Sequence, residues 1–447
     1  MHRFALPALL LAAACTPVGP STDPAAPYVP AAYVSGAAPA AGAVAPLAWW
    51  GDLRDPTLTT LIERGLAQNL DIRTALARIA QAQAQARATG LASDVSGTLT
   101  ASDTAAGVRG LSRSETAQAT LGASLVLDLF GASQRGREAA LAQLQAAQLD
   151  AGTARLAYLS ALTGDYATAR YNQLAASLAR QSLTNRERTL SLVNDRAAQG
   201  LASDLELAQA QASVDDVRAA IPAFDANFEA AVYGMATLLA EPAAPLMAQM
   251  RQNAGLPRVP ATPAAGQPVE LLYNRPDVAS ARQSLVAALA NVGVAEAALL
   301  PSVSLSGSIT RADATSWSFG PSLSLPLLNQ PRLRAARDAS LAQAEQARLS
   351  WQAAVLDAVE EVQRAQSGLR RARQVLAARQ SALDSTARVA SLTRSAWEAG
   401  SEPLTNLIDA DIATASARSA VAAAQRDVLT QWIALQLATG RGWAPTP

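Results

Sequence analysis

Hydrophobic positions in this chain follow two periods, and the chain passes from one to the other twice in the same order. Asp55-Pro56 offers an N-cap followed by proline at the first helical position, and helical spacing continues to about Thr89 with a break near Asn69. Strict alternation then takes over. From 94 to 102, Val95, Leu99 and Ala101 alternate with Ser96, Thr98, Thr100 and Ser102. From 116 to 129, Leu121, Ala123, Leu125 and Leu127 alternate with Thr120, Gly122, Ser124 and Val126. The polar segment Asp103 to Glu115 between them is expected as a loop. A helical stretch from about Gly131 to Gln199 follows, which at 1.5 Å per residue is about 100 Å long. Gly200 interrupts it, and helix resumes at Ser203 or Asp204 to about Leu239. This second helix carries a heptad seam of Val214, Ile221, Phe228 and Met235, with Pro222 inside it as an expected kink.

The second half repeats the first. Pro276-Asp277 opens a helix that ends at Leu300-Pro301. Alternation returns at 302–310 (Val303, Leu305, Ile309 against Ser304, Ser306, Ser308) and at 316–327 (Trp317, Phe319, Leu323 against Ser316, Ser318, Ser322). Helix then runs from about Arg332 to Ala399, Gly400 breaks it, and a last helix runs from about Leu404 to Ala438. Val355, Val362 and Leu369 share one heptad register of the long helix, with Ala358, Ala365 and Ala372 three residues on. The breaks at Gly200 and Gly400 mark an internal duplication. The expected organisation is a signal peptide at 1–14, a Pro/Ala-rich extended tether at 15–50, repeats at 51–240 and 271–443, and a linker at 241–270 with a helical fragment near Met247.

The strands decide how this is read. Each has the length a tilted strand needs to cross an outer membrane, with one apolar face and one Ser/Thr face. Ser-rich alternation also fits a half-buried sheet on a globular domain, but strand pairs at matching places in two long-helix repeats favour the membrane. No run of eighteen apolar residues follows the leader, so a helical span is not expected. Backbone groups in lipid must all be paired, so such a sheet must close on itself, and known membrane barrels begin at about eight strands. Four strands therefore require partner copies. Two copies give a barrel filled by side chains, and three leave room for the water that a Ser/Thr face favours.

Composition narrows the chemistry. Hydrophobic residues make up 50% but aromatics only 4%, which fits closely packed Ala-rich helices better than a thick globular core. Lys+Arg and Asp+Glu are both 36, all the cations are Arg, and nothing argues for nucleic acid. Met1-His2-Arg3, the apolar run Phe4 to Ala13 and the small residues before Cys15 form a secretory leader. Cys15 after them is like a bacterial lipobox cysteine, with Ala12 where Leu is usual, and it is the expected acylation site. Thr16 is compatible with outer-membrane sorting. Cleavage removes the single His and acylation consumes the single Cys. His- or thiol-based catalysis, lysine Schiff bases, P-loops and the usual zinc sites are then excluded, so no catalytic residue, metal or cofactor is expected.

The chain resembles the TolC-type outer-membrane efflux proteins, specifically their NodT-like lipoprotein branch. The resemblance is carried by Asn274-Arg275-Pro276-Asp277-Val278, Leu300-Pro301-Ser302, Phe319-Gly320-Pro321-Ser322-Leu323, Leu127-Asp128-Leu129-Phe130-Gly131 and Leu437-Ala438-Thr439-Gly440-Arg441-Gly442-Trp443. Leu91-Ala92-Ser93 departs from the typical Leu-Pro-Ser. The resemblance implies a mainly α fold with membrane β: a homotrimer whose twelve-stranded β-barrel, four strands per chain, continues into a periplasmic α-helical barrel. It implies passive conduction of small molecules from an inner-membrane resistance–nodulation–division (RND) pump, through a periplasmic adaptor, to the exterior. It places the adaptor-contacting tips at Gly200, Leu201, Ala202 and Ser203 and at Gly400, Ser401 and Glu402. It places the periplasmic aperture at Asp409, with Asn406 where other members carry an acid, and with Asp411 as a possible second charge. The alternatives are an outer-membrane duct for type I protein secretion and a lipid-anchored coiled-coil structural protein.

Overall fold

The structure is a computed structural model that describes residues 17–34, 47–89, 94–107, 114–252, 255–260 and 268–444. Cys15, Leu91, Ala92 and Ser93 lie outside the described residues. Eight helices and four strands carry the architecture: α1 Pro56–Gln68, α2 Leu70–Ala88, β1 Val95–Ala106, β2 Ser114–Leu127, α3 Ala132–Ala198, α4 Asp204–Leu238, α5 Ala243–Arg251, α6 Pro276–Ala297, β3 Ser302–Arg311, β4 Thr315–Ser324, α7 Gln330–Glu398 and α8 Leu404–Ala438. Among the described residues there are also a single-turn helix at Leu271–Asn274 and 3-10 turns at Trp49–Leu53 and Pro268–Glu270. Two compact units form. The first takes Met1–Tyr28, Ala75–Ala151 and Pro276–Leu356, and the second takes Val29–Thr74, Gly152–Arg275 and Asp357–Pro447.

The first unit is built on one antiparallel sheet in the order β1-β2-β3-β4. Its register keeps odd residues on one face and even residues on the other through all four strands. One row reads Leu99, Leu121, Ile309, Trp317, and the next reads Thr100, Thr120, Thr310, Ser316. The odd face is apolar and exposed, with Trp317 at 78% and Leu99 at 75%. The even face is hydroxyl-bearing and partly bonded to itself, through Thr120 and Thr310 at 3.0 Å and Ser308 and Ser318 at 2.9 Å. A globular sheet would bury its apolar face, whereas this one leaves it bare for lipid.

The strand ends differ from expectation in two places. The ladder extends to Ala106 and back from Ser114, so Asp103 and Glu115 belong to strands rather than to a loop. Both fall on the apolar face, as does Arg311, and together they mark where the apolar band stops and water begins. At the other end β2 and β4 stop short of Leu129 and Leu327. Leu129 N–H donates to Leu127 O and Leu327 N–H to Leu325 O, a three-residue turn that ends each strand at the same place in the repeat.

The N-terminal segment is extended, with no helix or strand at 17–34, but it is packed rather than free. Val18 N–H donates to Phe130 O at 3.2 Å, Arg135 Nε donates to Val18 O at 3.1 Å, and Asp23 pairs with Arg282 at 3.1 Å. Within the second unit Tyr33 is buried, and burial pushes its phenol pKa up. One helix bears on the expectation about helical spans. Helix α6 is long and apolar enough to cross a membrane, with mean hydropathy 1.2. Its apolar side is occupied by protein instead: Val278, Leu285, Ala290 and Val292 are buried, and Ser280 Oγ donates to Asp150 Oδ1 at 2.6 Å.

The second unit shows why the sequence signatures sit where they do. Asp55 caps α1 through Leu58 N–H at 3.0 Å and accepts from Tyr166 Oη at 2.5 Å. Asn69 is the expected break. Its amide oxygen caps α2 at Asp71 and Ile72, and its nitrogen donates to Leu238 O at 2.8 Å. Arg275 donates to Ala438 O at 3.2 Å and pairs with Glu361, while Trp443 Nε1 donates to Asn274 O at 2.8 Å. The motif after the linker and the C-terminal motif are thus two sides of one contact. The linker packs too, since Arg170 and Gln173 both donate to Met250 O.

Four helices end on the same double hydrogen bond, a 6→1 bond with a 5→2 bond inside it: Leu201 to Arg196, Glu241 to Ala236, Ser401 to Ala396 and Arg441 to Gln436. The left-handed residue is Gly200, Gly400 and Gly440 in three of them (φ +72°, +77°, +77°), but Ala240 at φ +51° in the fourth. Alanine in that region is sterically strained, and Ala240 is exposed with no packing to lose. Ala240→Gly should therefore stabilise the protein by roughly 0.5–1 kcal/mol, read as an upward shift of the denaturant midpoint.

Candidate functional site

The candidate site is the pair of helix tips in the second unit. Gly200 and Gly400 both have open space around them, so their positive φ, not crowding, is what calls for glycine. Ser203 then starts α4 with a capping box: its hydroxyl accepts from Glu206 N–H, and Glu206 accepts from Ser203 N–H at 2.8 Å. Ser401 Oγ donates to Ala396 O at 3.0 Å, closing the second tip on itself. Leu201 is 71% exposed and Leu205 is 66% exposed. Each turn therefore closes on the helix before it, but only the first tip caps the helix after it, since α8 starts at Pro403 without a side-chain cap, and the first tip leaves apolar side chains in solvent.

Beneath the turns the tips are joined by a small core. Val193, Ala210, Trp397, Leu404 and Leu407 are buried together, with Leu190, Ala202, Leu207 and Ile408 packed against them. Arg196 covers this core. Its guanidinium lies 4.2 Å from the centre of the Trp397 ring and donates to Trp397 O at 3.4 Å and Glu398 O at 3.2 Å. A cation on the final carbonyls of α7 also meets the negative end of that helix. Sequence reasoning missed Arg196 and Trp397. The available signal was a tryptophan three residues before a tip glycine, in a chain with 4% aromatics.

The three expected aperture residues separate. Asn406 and Asp409 share the exposed face of α8, while Leu404, Leu407 and Ala410 fill the buried face. Asn406 Nδ2 donates to Glu402 Oε2 at 2.7 Å. Asp409 makes no hydrogen bond or ion pair among the described residues. Asp411, two residues on, points elsewhere. It is paired with Arg394 of the same chain at 2.8 Å and is half-buried. A spacing of two turns a residue by about 200° on a helix, so Asp409 and Asp411 do not line one surface. Among the described residues no cluster of three or more His, Cys, Asp or Glu is arranged to hold a metal.

A bare-faced membrane sheet and two glycine-turned helix hairpins define a class of protein, and comparison identifies the family. The outer membrane efflux protein model matches residues 61–241 and 268–441, and the chain belongs to that family. It is 32% identical to Nodulation protein T of Rhizobium leguminosarum bv. trifolii, covering 98% of this chain and 96% of that one. It is 33% identical to the pyoverdine export outer membrane protein OpmQ of Pseudomonas aeruginosa, over 88% of this chain and 87% of that one. Among solved structures the outer-membrane channel OprN superposes with a TM-score of 0.86 at 29% identity, covering 95% of this chain and 99% of that one. CusC, at 22% identity and TM-score 0.83, shares the fold. The fold is TolC-like, with four strands per chain. The protein is an outer-membrane efflux channel that extends into the periplasm, and it is not an enzyme.

Removing the ring that Arg196 covers should open the tips without disturbing the sheet. Trp397→Ala is expected to cost about 3–5 kcal/mol locally. Hydrogen exchange should accelerate at amides around 193–210 and 393–410, and remain unchanged in β1–β4.

Proposed function

We propose that three copies of the chain close the sheet into a twelve-stranded barrel with its Ser/Thr face toward water. The channel they form passively conducts small molecules delivered by an inner-membrane RND pump through a periplasmic adaptor. The observation that carries this reading is the sheet itself: its apolar face is bare, and β1 and β4 are both unpaired edges. In lipid those edges must be paired, and another copy supplies the matching edge. Relatives named for pyoverdine export and toluene efflux support small organic substrates rather than proteins. Cys15 carries the acyl anchor in this reading. Native mass spectrometry of the detergent-solubilised protein tests the assembly: trimers are expected, and dimers or monomers would overturn it.

The aperture narrows to Asn406 and Asp409. Three Asp409 carboxylates about 7 Å apart around an axis would repel one another by about 2 kcal/mol per pair at an effective dielectric of 20, which favours cations at the opening. In planar bilayers Asp409→Ala should lower cation preference and change single-channel conductance, whereas Asp411→Ala should leave ion preference near the parent value. Unchanged behaviour in Asp409→Ala removes the residue from the aperture.

The exposed leucines at the first tip are the adaptor's contact. Leu201→Asp is expected to abolish efflux-dependent resistance in cells while conductance of the reconstituted channel stays as in the parent. Equal loss of both would place the defect in folding instead.

A further inference from the structure

A second site lies deeper in the second unit, between α3, α7 and α8. These three helices line a half-open cavity of about 190 Å³. Three guanidinium groups line it, from Arg186, Arg394 and Arg418, against one carboxylate, Asp411. Arg394 and Asp411 neutralise each other at 2.8 Å. Two positive charges are left on the walls.

Neither remaining cation has a counter-charge in contact. Arg186 is 6% exposed. Its Nη1 donates to Ser213 O at 2.7 Å, but its Nε–H is buried with no acceptor. Asp216 and Asp411 act on Arg186 electrostatically, yet neither lies within ion-pair distance. Burial lowers its pKa, a sign that lost hydration is not fully replaced. Arg418 is half-buried and makes no hydrogen bond or ion pair among the described residues. Asn185 and Ser391 add side-chain donors that no other described group engages.

A buried guanidinium with an unused donor is costly, and proteins resolve it with an ion or ordered water. Guanidinium forks match tetrahedral oxyanions by two parallel hydrogen bonds, which a spherical halide cannot exploit. The cavity exceeds the space needed for one water many times over. We propose that this cavity binds a small tetrahedral oxyanion, phosphate or sulfate, held by Arg186 of α3 and Arg418 of α8. The anion completes the unused donors and fastens α3 to α8. Nothing in this depends on the channel's substrate or pump.

Calorimetric titration of the full-length protein in detergent with inorganic phosphate, at ionic strength held constant with chloride, tests it. Saturable binding at one site per chain is expected. Arg418→Gln should weaken it about tenfold, the worth of one charge-assisted hydrogen bond set. Arg379→Gln, an exposed arginine outside the cavity, should leave it unchanged. No saturable heat, or equal affinity in Arg418→Gln, overturns the proposal. So does chloride competing as well as phosphate. Should Arg418→Gln fail to assemble, crystals of the parent soaked in selenate decide: an anomalous peak between Arg186 and Arg418 supports the site, and its absence there overturns it.

Discussion

Backbone hydrogen bonding in lipid is the constraint from which the rest of this structure follows. Hydrocarbon offers no partner to an N–H or C=O group, so a strand placed there must be flanked on both sides. Two strands in this chain, β2 and β3, meet that condition unaided, and β1 and β4 meet it on one side only. The parity of the register follows from the same demand. In this register every antiparallel pair joins residues of the same parity, so strands alternating in sequence give one clean lipid face and one hydroxyl face across all four strands. Charged residues on the lipid face are then confined to one end, at Asp103, Glu115 and Arg311, where the ladder continues into water.

The duplication lets one local solution serve twice. The three-residue turns after Leu127 and Leu325 end corresponding strands, and the double-bonded helix ends at Gly200 and Gly400 reverse corresponding helices. The halves have since diverged in how they are held. In the first, Asn69 ties the break between α1 and α2 to Leu238 O. In the second, Arg275 and Trp443 fasten the corresponding region to the chain's C-terminal turn. Residues that look like family markers in the sequence are, physically, the hydrogen-bond partners of main-chain groups at helix ends.

Much of this was legible without coordinates because it is written in period and punctuation. Alternation located all four strands, and glycine located both tips. What was not legible depends on partners remote in sequence. Pro/Ala-rich composition reads as a free tether, but Val18 and Tyr33 are held by Arg135 and by the second unit's core, which composition cannot announce. Strand limits failed where charge was taken as loop, because Asp103 is tolerated once β2 pairs with it. At the site, Asp411 resembled an aperture acid by type. Its helical phase relative to Asp409 was readable in advance, but Arg394 as its partner was not. The cavity above the tips was invisible for the same reason: Arg186, Arg394 and Arg418 come from three helices, and none stands out alone.

The capped first tip carries a consequence for how such a protein could be recognised. At the first tip the 6→1 turn bond and the Ser203–Glu206 capping box already occupy main-chain groups that a partner would otherwise have to match. What this tip presents is contour and grease, at Leu201 and Leu205. Attraction of that kind is indifferent to salt and undemanding about sequence. On the proposed adaptor contact, a partner would need only a complementary apolar profile, which would suit one duct to shared use.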